Sequence, residues 1–194
     1  GVVRVFNTKR RLLKTMTDYS KAWVLLLEYV EKMALSETAE VSLAALKAMQ
    51  EMITSSREDV LQAAAAAAAA SEAVSSPSQA AAVASGSLKE INWTLCWKAW
   101  LNIGNHKTNF MSNSTENGTH NQALLTGFVQ IFLCLFPLIE TNFRRADVEH
   151  LGKVLASCAE IAPMGDSDCN NQLSVLHTSI LEALALVKSL TKKH

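Results

Sequence analysis

Hydrophobic residues in the first third of the chain recur at the spacing of an α-helix in two successive stretches. The apolar positions of the two stretches are Trp23, Leu26, Leu27, Val30 and Ala34, and then Val41, Ala45, Ala48, Met49 and Met52. This spacing places each set on one face of an amphipathic helix. Residues 35–40 join the stretches, and so short a connection predicts an antiparallel hairpin. A lone hairpin cannot bury both of its apolar faces, so further helix pairs must stack on it.

The same periodicity predicts helices along the rest of the chain. A helix beginning near Leu88 carries an aromatic face that ends at Gly104, which we interpret as its C-cap. Thr119 begins the most hydrophobic helix, which Pro137 is expected to kink or break. Asp147 is expected to cap the next helix. The last helix runs over residues 170–190, with Leu173, Leu176, Ile180, Leu184 and Val187 inward.

The predicted fold class is therefore all-α: stacked antiparallel helix pairs in a HEAT- or armadillo-like α-solenoid segment. We expect a first helical half at residues 1–62, with Asp18 or Ser20 capping the first helix of the hairpin. Residues 63–87 should be an Ala/Ser-rich helix extension, with Ser56 as its N-cap, followed by a flexible linker. Residues 88–194 form the second helical half, with an Asn-rich solvent loop at 105–119.

Composition narrows the class of protein. The 194 residues include 18 basic and 18 acidic side chains, and this neutrality removes the strong electrostatic footprint expected of a dedicated nucleic-acid binder. The four cysteines show no CxxC spacing, which favours buried free thiols in a reducing compartment. No run reaches about 18 uninterrupted apolar residues, which favours a soluble segment. Because the pattern starts abruptly at Gly1, we expect a piece of a longer protein.

The opening of the chain is locally basic. Its first 21 residues contain one acidic residue, Asp18, and six basic residues. The basic residues are Arg4, Lys9, Arg10, Arg11, Lys14 and Lys21. Such a stretch can contact the phosphate groups of lipids or of nucleic acid. The alternative, favoured by the lack of aromatic residues and of a Gly-rich loop, is the solvated flank of a helix.

Three tryptophans share one helical face: Trp93, Trp97 and Trp100. Tryptophan is enriched at partner-binding hot spots, but a helix in a stacked array must bury such a face. We favour the core interpretation and expect these rings to pack against the helix that contains Leu124 and Ile139.

The sequence contains no recognisable catalytic, metal-binding or phosphate-binding motif. The histidines and cysteines lack the close spacing of a zinc site, so we expect no metal. There is no phosphate-binding glycine loop and no nucleophile motif, so we expect no cofactor and no catalytic residue.

Several runs resemble a known family. They are FNTKRRLL, KAWVLLLEYVE and EVSLAALKAMQE in the first third, followed by SLKEINWTLCWKAWLNIG. These runs are similar to the family of monensin-sensitivity protein two, Golgi scaffolds related to the large Arf guanine-nucleotide exchange factors but without catalytic activity.

The resemblance implies a cytoplasmic protein, peripheral to the membranes of the Golgi, trans-Golgi network and endosomes, that acts in vesicle-mediated protein transport. It also implies a Dopey-like scaffold and Arf-like GTPase pathways as partners. The main hypothesis is thus a non-enzymatic scaffold segment, and the alternative is a free-standing helical adaptor that docks on acidic membranes through its basic opening.

Overall fold

A computed structural model of the chain describes residues 1–71, 93–112, 118–140, 143–161 and 175–191. Its opening begins with two short helices, α1 (Val2–Thr8) and α2 (Arg10–Leu13). The predicted hairpin follows as α3 (Tyr19–Ala34) and α4 (Ala39–Ser71). The hydroxyl of Ser42 donates to the carbonyl oxygen of Ala34 at 2.5 Å and ties the two helices together at their connection. The hairpin prediction is confirmed.

The inward positions of the hairpin agree with the apolar pattern except at Val41 and, in part, at Ala48, which is partly buried against the core. The residues of α3 that the sequence placed inside are all buried, as are Ala45, Met49 and Met52 of α4. Val41 lies in the first turn of α4 and is 39% exposed.

The second half of α4 was predicted incorrectly in one respect. Ser56 does not begin a new helix, since α4 continues without a break from Ala39 to Ser71. Ser56 is 1% exposed and faces the interior. Beyond Asp59, the side chains of α4 that the structure describes are exposed, and they are Leu61, Gln62, Ala65 and Ala66. The predicted linker at residues 75–87 falls outside the described residues.

Helix α5 (Trp93–Ser112) does not end at Gly104 as predicted. Gly104 lies inside the helix, where α5 crosses its neighbours. A methyl carbon at this position would lie 2.6 Å from Cζ of Phe128 and 2.9 Å from Cγ1 of Val154. The glycine therefore permits close packing and does not terminate the helix. The predicted solvent loop is helical up to Ser112, and Lys107 and Thr108 within it are buried.

Three further helices complete the chain: α6 (Gly118–Ile139), α7 (Arg145–Ile161) and α8 (Val175–Thr191). Helix α6 begins one residue before the predicted cap Thr119, and it passes through Pro137 before ending two residues later. Asp147 lies in the first turn of α7, where its carboxylate accepts from the backbone N–H of Arg144 at 3.0 Å. Asp147 thus caps α7 as a residue of its first turn, whereas the prediction made it the N-cap residue. Leu184 of α8 was predicted inward but is 36% exposed.

The helices pack in chain order as three pairs, α3 with α4, α5 with α6, and α7 with α8. The first helices of the pairs also pack side by side, α3 against α5 and α5 against α7. The second helices do the same, α4 against α6 and α6 against α8. The helices thus lie in two layers. Short α1 packs on the outer side of α4.

Side-chain contacts give the directions of the helices. Helices α3 and α5 run parallel, because Trp23 contacts Trp93 near their starts and Glu31 accepts from Asn102 farther along. Helices α4 and α6 are also parallel, with Leu46 beside Gly127 and Thr54 beside Cys134. Helices α5 and α6 are antiparallel, since Trp97 contacts Phe132 and Trp100 contacts Phe128. Among α3 to α6, direction is therefore shared within a layer and reversed between the layers.

One hydrophobic core runs through all three pairs, and α6 is its central helix because it contacts α4, α5 and α8. Within the described ranges, the part of α6 from Asn121 to Ile139 is long and apolar enough to cross a membrane. Half of that window, 50%, is buried inside the protein, which is the environment of a core helix.

Candidate functional site

The basic opening of the chain does not form a single cationic surface. Arg10 donates from Nε and Nη2 to the two carboxylate oxygens of Asp59, at 2.7 and 2.8 Å. Lys14 reaches the same carboxylate at 2.9 Å. Only 10% of the Arg10 side chain is exposed. These two cations hold the α2 segment against α4, and they are not oriented toward an external phosphate.

The electrostatics of this contact, which we call the Asp59 clamp (Arg10, Lys14 and Asp59), favour the charged carboxylate. Burial alone would raise the pKa of Asp59. The hydrogen bonds and positive charges of Arg10 and Lys14 outweigh burial and hold this pKa below its ordinary value. The carboxylate is therefore ionised, and its ion pairs with Arg10 and Lys14 stabilise the packing of the start of the chain against α4.

The other predicted cations lie apart from the clamp. Lys21 forms an exposed ion pair with Asp18 at 2.9 Å, so the predicted cap residue Asp18 is engaged with a side chain. Arg4 and Lys9 are exposed, and Arg11 is part of α2. Beside Arg4 and Lys9 are apolar side chains that are also exposed, Val2 at 65% and Val5 at 64%. The basic stretch thus divides into the Asp59 clamp and a small surface on which exposed cations and exposed apolar side chains lie together.

The predicted tryptophan face is part of the core. Trp93 and Trp97 are each 6% exposed and Trp100 is fully buried. Trp100 stacks on Phe128 with ring centroids 4.3 Å apart, and its Nε1 donates to the carbonyl oxygen of the same residue at 2.9 Å. The prediction that the rings meet α6 is confirmed for Trp97 and Trp100. Trp93 instead contacts Trp23 of α3, edge to face at 6.2 Å.

An open cleft lies beside this face, between the start of α5 and the junction of α6 with α7. Its volume is about 520 Å³. The floor is apolar, and the ring of Trp97 meets that of Phe143 edge to face at 4.9 Å. We call this feature the α5–α7 cleft, and its lining residues are Thr94, Trp97, Lys98, Leu101, Ile139, Phe143, Arg144 and Asp147.

The rim of the α5–α7 cleft carries two exposed cations, Lys98 and Arg144. Neither takes part in an ion pair within the described ranges, whereas the adjacent Arg145 pairs with Glu149 at 3.3 Å. The carboxylate of Asp147 also lines the cleft but already accepts a hydrogen bond from the backbone of Arg144. Among its described residues, the cleft thus combines an aromatic floor with a rim of two cations and one carboxylate.

Sequence reasoning missed both the Asp59 clamp and the cleft. Asp59 lies 49 positions from Arg10, and no local spacing links them. Phe143 and Arg144 lie in the short connection between two helices, where periodicity gives no guide to burial. The capping residue Asp147 is the one sequence signal that points toward the cleft, because it marks the start of α7, which forms one wall of the cleft.

The described cysteines are free thiols, as predicted. Cys96 and Cys158 are buried, and burial raises the pKa of both, that of Cys158 to about 12. Cys134 is half-buried, and Cys169 falls outside the described residues. In the part of the chain that the structure describes, no group of three or more His, Cys, Asp or Glu residues is arranged to hold a metal ion.

Comparison with known proteins identifies the family. Residues 1–94 match the family model described as the C-terminal region of Mon2 protein. The Drosophila melanogaster Protein MON2 homolog is 34% identical over 97% of this chain, and the Homo sapiens Protein MON2 homolog is 29% identical over 86% of it. This chain belongs to the Mon2 family. The resemblance found in the sequence is confirmed.

The chain spans only a small part of its Mon2 relatives. It covers 12% of the Drosophila melanogaster protein and 11% of the Homo sapiens protein. The Xenopus laevis Protein MON2 homolog is 28% identical over 97% of the chain, which covers 13% of that protein. No solved structure matches the chain significantly.

Proposed function

We propose that this Mon2-family chain is a non-enzymatic scaffold segment of a regulator of vesicle-mediated transport at the Golgi and endosomes. In this proposal its helix pairs form a HEAT-like α-solenoid segment that presents its outer faces to protein partners. The proposed partners are a Dopey-like scaffold and components of Arf-like GTPase pathways. The proposed location is the cytoplasmic surface of the trans-Golgi network and endosomes.

The observation that carries the proposal is the two-layered stacking of the helix pairs. Helices α3 and α5 run parallel to each other and antiparallel to α4 and α6, as neighbouring helix pairs do in helical-repeat proteins. In such an array the inner faces form the core, and each layer keeps one continuous outer face. The outer faces carry exposed cations, Lys47 on α4, Lys98 on α5 and Lys153 on α7. They also carry exposed apolar side chains, such as Leu25 on α3 and Leu181 on α8.

Family membership supports the cellular part of the proposal. The matched relatives are named as Mon2 proteins, and their much greater length is consistent with an extended scaffold to which this segment contributes one part. Extended helical arrays bind partners over large surfaces and not in a deep active site.

The test is crosslinking mass spectrometry in cells on the protein that carries this segment. Lys47, Lys98 and Lys153 lie on three different helices, so a partner on either outer face should be captured by at least one of them. We expect crosslinks from this set to a Dopey-like protein or to another trafficking component. Substitution of the captured lysine by arginine keeps the charge and removes the reactive amine, so it should abolish only that crosslink. Crosslinks confined to the protein itself would overturn the proposal.

A second candidate function, peripheral membrane contact, is favoured by the mixed surface at the start of the chain. Val2, Val5 and Leu12 are 65%, 64% and 67% exposed, and Arg4 and Lys9 lie beside them. Apolar side chains that insert between headgroups, together with cations that attract anionic lipids, are the two components of interfacial binding.

Flotation with vesicles containing phosphatidylserine tests this candidate. Arg4→Glu combined with Lys9→Glu should abolish binding, whereas Lys47→Glu on α4 should leave it unchanged. Arg10 and Lys14 must stay intact in this experiment, because reversing their charges would break the Asp59 clamp and unfold the region being tested. Absence of binding by the unmodified chain would eliminate the membrane candidate.

A further inference from the structure

We propose that the α5–α7 cleft binds an extended segment of a protein partner that carries an aromatic side chain flanked by acidic residues. The proposal rests on the scaffold function above and names the chemistry of one of its partners. Neither the composition of the chain nor its family match assigns a binding site to these residues.

The size and floor of the cleft suit an aromatic side chain. A volume of about 520 Å³ falls within the range of about 300 to 1,000 Å³ that is typical of ligand sites. Trp97 and Phe143 meet edge to face at 4.9 Å, and Leu101 and Ile139 extend the apolar lining. A third ring can join this arrangement by offset or edge contact, the geometry that aromatic pairs prefer.

The rim explains why the flanking residues should be acidic. Lys98 and Arg144 are exposed while Trp97 and Phe143 are buried, so the charges stand above the aromatic floor and not within it. Neither cation has an ion-pair partner within the described ranges. Carboxylates on both sides of an inserted ring would supply those partners without requiring a charge to enter the apolar floor.

The opposing charge in the cleft does not reverse this preference. The carboxylate of Asp147 accepts from the backbone N–H of Arg144 at 3.0 Å. It is thus directed at the start of α7, and its charge is partly balanced by the free amides of that helix end. Two cations against one engaged carboxylate leave the rim attractive to acids and unfavourable for a basic peptide.

Fluorescence anisotropy with the whole chain tests the proposal. The probe is a fluorescein-labelled peptide with the sequence Gly-Glu-Asp-Phe-Glu-Asp-Gly. One comparison peptide replaces Phe by Ala, and another replaces the four acids by Lys. We expect the probe to bind at least about tenfold more tightly than either comparison peptide. Raising the ionic strength from about 0.01 to 0.1 M should weaken binding, because the screening length falls from about 30 to 10 Å.

Charge-reversal variants locate the binding site. Lys98→Glu combined with Arg144→Glu should weaken probe binding at least about tenfold. The matched control, Lys47→Glu combined with Lys153→Glu, changes the net charge equally but lies on other faces, and it should leave the affinity unchanged. All four positions are exposed, and an unchanged unfolding midpoint will verify that each variant is folded. A probe with benzoylphenylalanine in place of Phe should crosslink to Thr94, Leu101 or Phe143.

Several results would overturn the proposal: equal binding of the three peptides, equal loss of affinity in the two double variants, crosslinks outside the cleft, or no binding at all. Binding of inorganic phosphate at the cleft without the peptide would overturn it too, since it would indicate a small-anion site. These failures differ from failure of the scaffold function. Partner crosslinks from Lys47, Lys98 or Lys153 in cells would persist even if the cleft does not bind the peptide, whereas the absence of partner crosslinks from all three lysines removes the scaffold function itself.

Discussion

Replacing Gly104 by alanine would place a methyl group in a crowded crossing of helices α5, α6 and α7. The new carbon would lie 2.6 Å from Cζ of Phe128 and 2.9 Å from Cγ1 of Val154. The ring of Phe128 stacks on Trp100 at 4.3 Å, so it cannot move away without disturbing a fully buried neighbour. The helices around Gly104 must shift to accept the substitution.

Two opposing effects decide the sign of the change in stability. In a helix interior, alanine is more favourable than glycine by about 1 kcal/mol. Overpacking a well-packed core costs about 1 to 3 kcal/mol, and the short approach to Phe128 places Gly104 at the upper end of that range. We therefore expect Gly104→Ala to lower the free energy of unfolding by about 1 to 2 kcal/mol.

Urea denaturation followed by tryptophan fluorescence measures this change, and the chain supplies a matched control. Gly152 lies inside α7, and a methyl group there would have nothing within 4 Å. Gly152→Ala should thus gain up to about 1 kcal/mol from helix propensity alone. In a Phe128→Leu background, which lacks the Cζ atom, the penalty of Gly104→Ala should shrink, giving a coupling energy between the two sites.

Equal stabilisation by Gly104→Ala and Gly152→Ala would refute the reasoning, because it would mean that α5 does not pack against α6 and α7 at residue 104. Loss of stability without coupling to Phe128 would refute it in another way, by pointing to a backbone conformation that only glycine can adopt.

Three further predictions follow from the core, the clamp and the thiols. Trp97→Ala should cost about 3 to 5 kcal/mol of stability, and an unchanged thermal midpoint would contradict its place in the core. Asp59→Asn should cost about 1 to 2 kcal/mol at neutral pH. Because the folded pKa of Asp59 is lowered, this contribution is present above about pH 4 and is lost as the pH falls further, so acid titrations of the two proteins should converge. Iodoacetamide should modify Cys134 before Cys96 and Cys158, whose thiol pKa values are raised by burial; equal rates in the native protein would contradict this order.

The hydrophobic period was sufficient to predict the helices, and the errors fell where a helix could equally continue or stop. Ser56 and Gly104 are residues typical of helix ends, yet both lie buried inside helices. At Gly104, packing against α6 and α7 overrode the local signal. Gly104 is small because Phe128 and Val154 approach it, and that approach depends on helices far away along the chain.

The candidate site was less predictable than the fold. Burial of the tryptophan face was predictable, because the spacing of the tryptophans places them on one side of a helix and a large apolar face must be covered. The division of the basic stretch depends on Asp59, whose distance in sequence from Arg10 leaves no pattern to detect. The α5–α7 cleft depends likewise on how three helices meet, so its residues, such as Lys98 and Arg144, looked like ordinary exposed cations.

The 33 residues of α4 should respond to heat in two ways. Up to Asp59 the helix is anchored by the core and the clamp, so this part should melt together with the tertiary structure. Farther along, Leu61, Gln62, Ala65 and Ala66 are exposed. The helicity of this part therefore depends mainly on the propensity of alanine, and it decreases gradually with temperature. Circular dichroism should therefore show a sloping loss of helix before tryptophan fluorescence reports any unfolding, even if the core itself unfolds in one cooperative step.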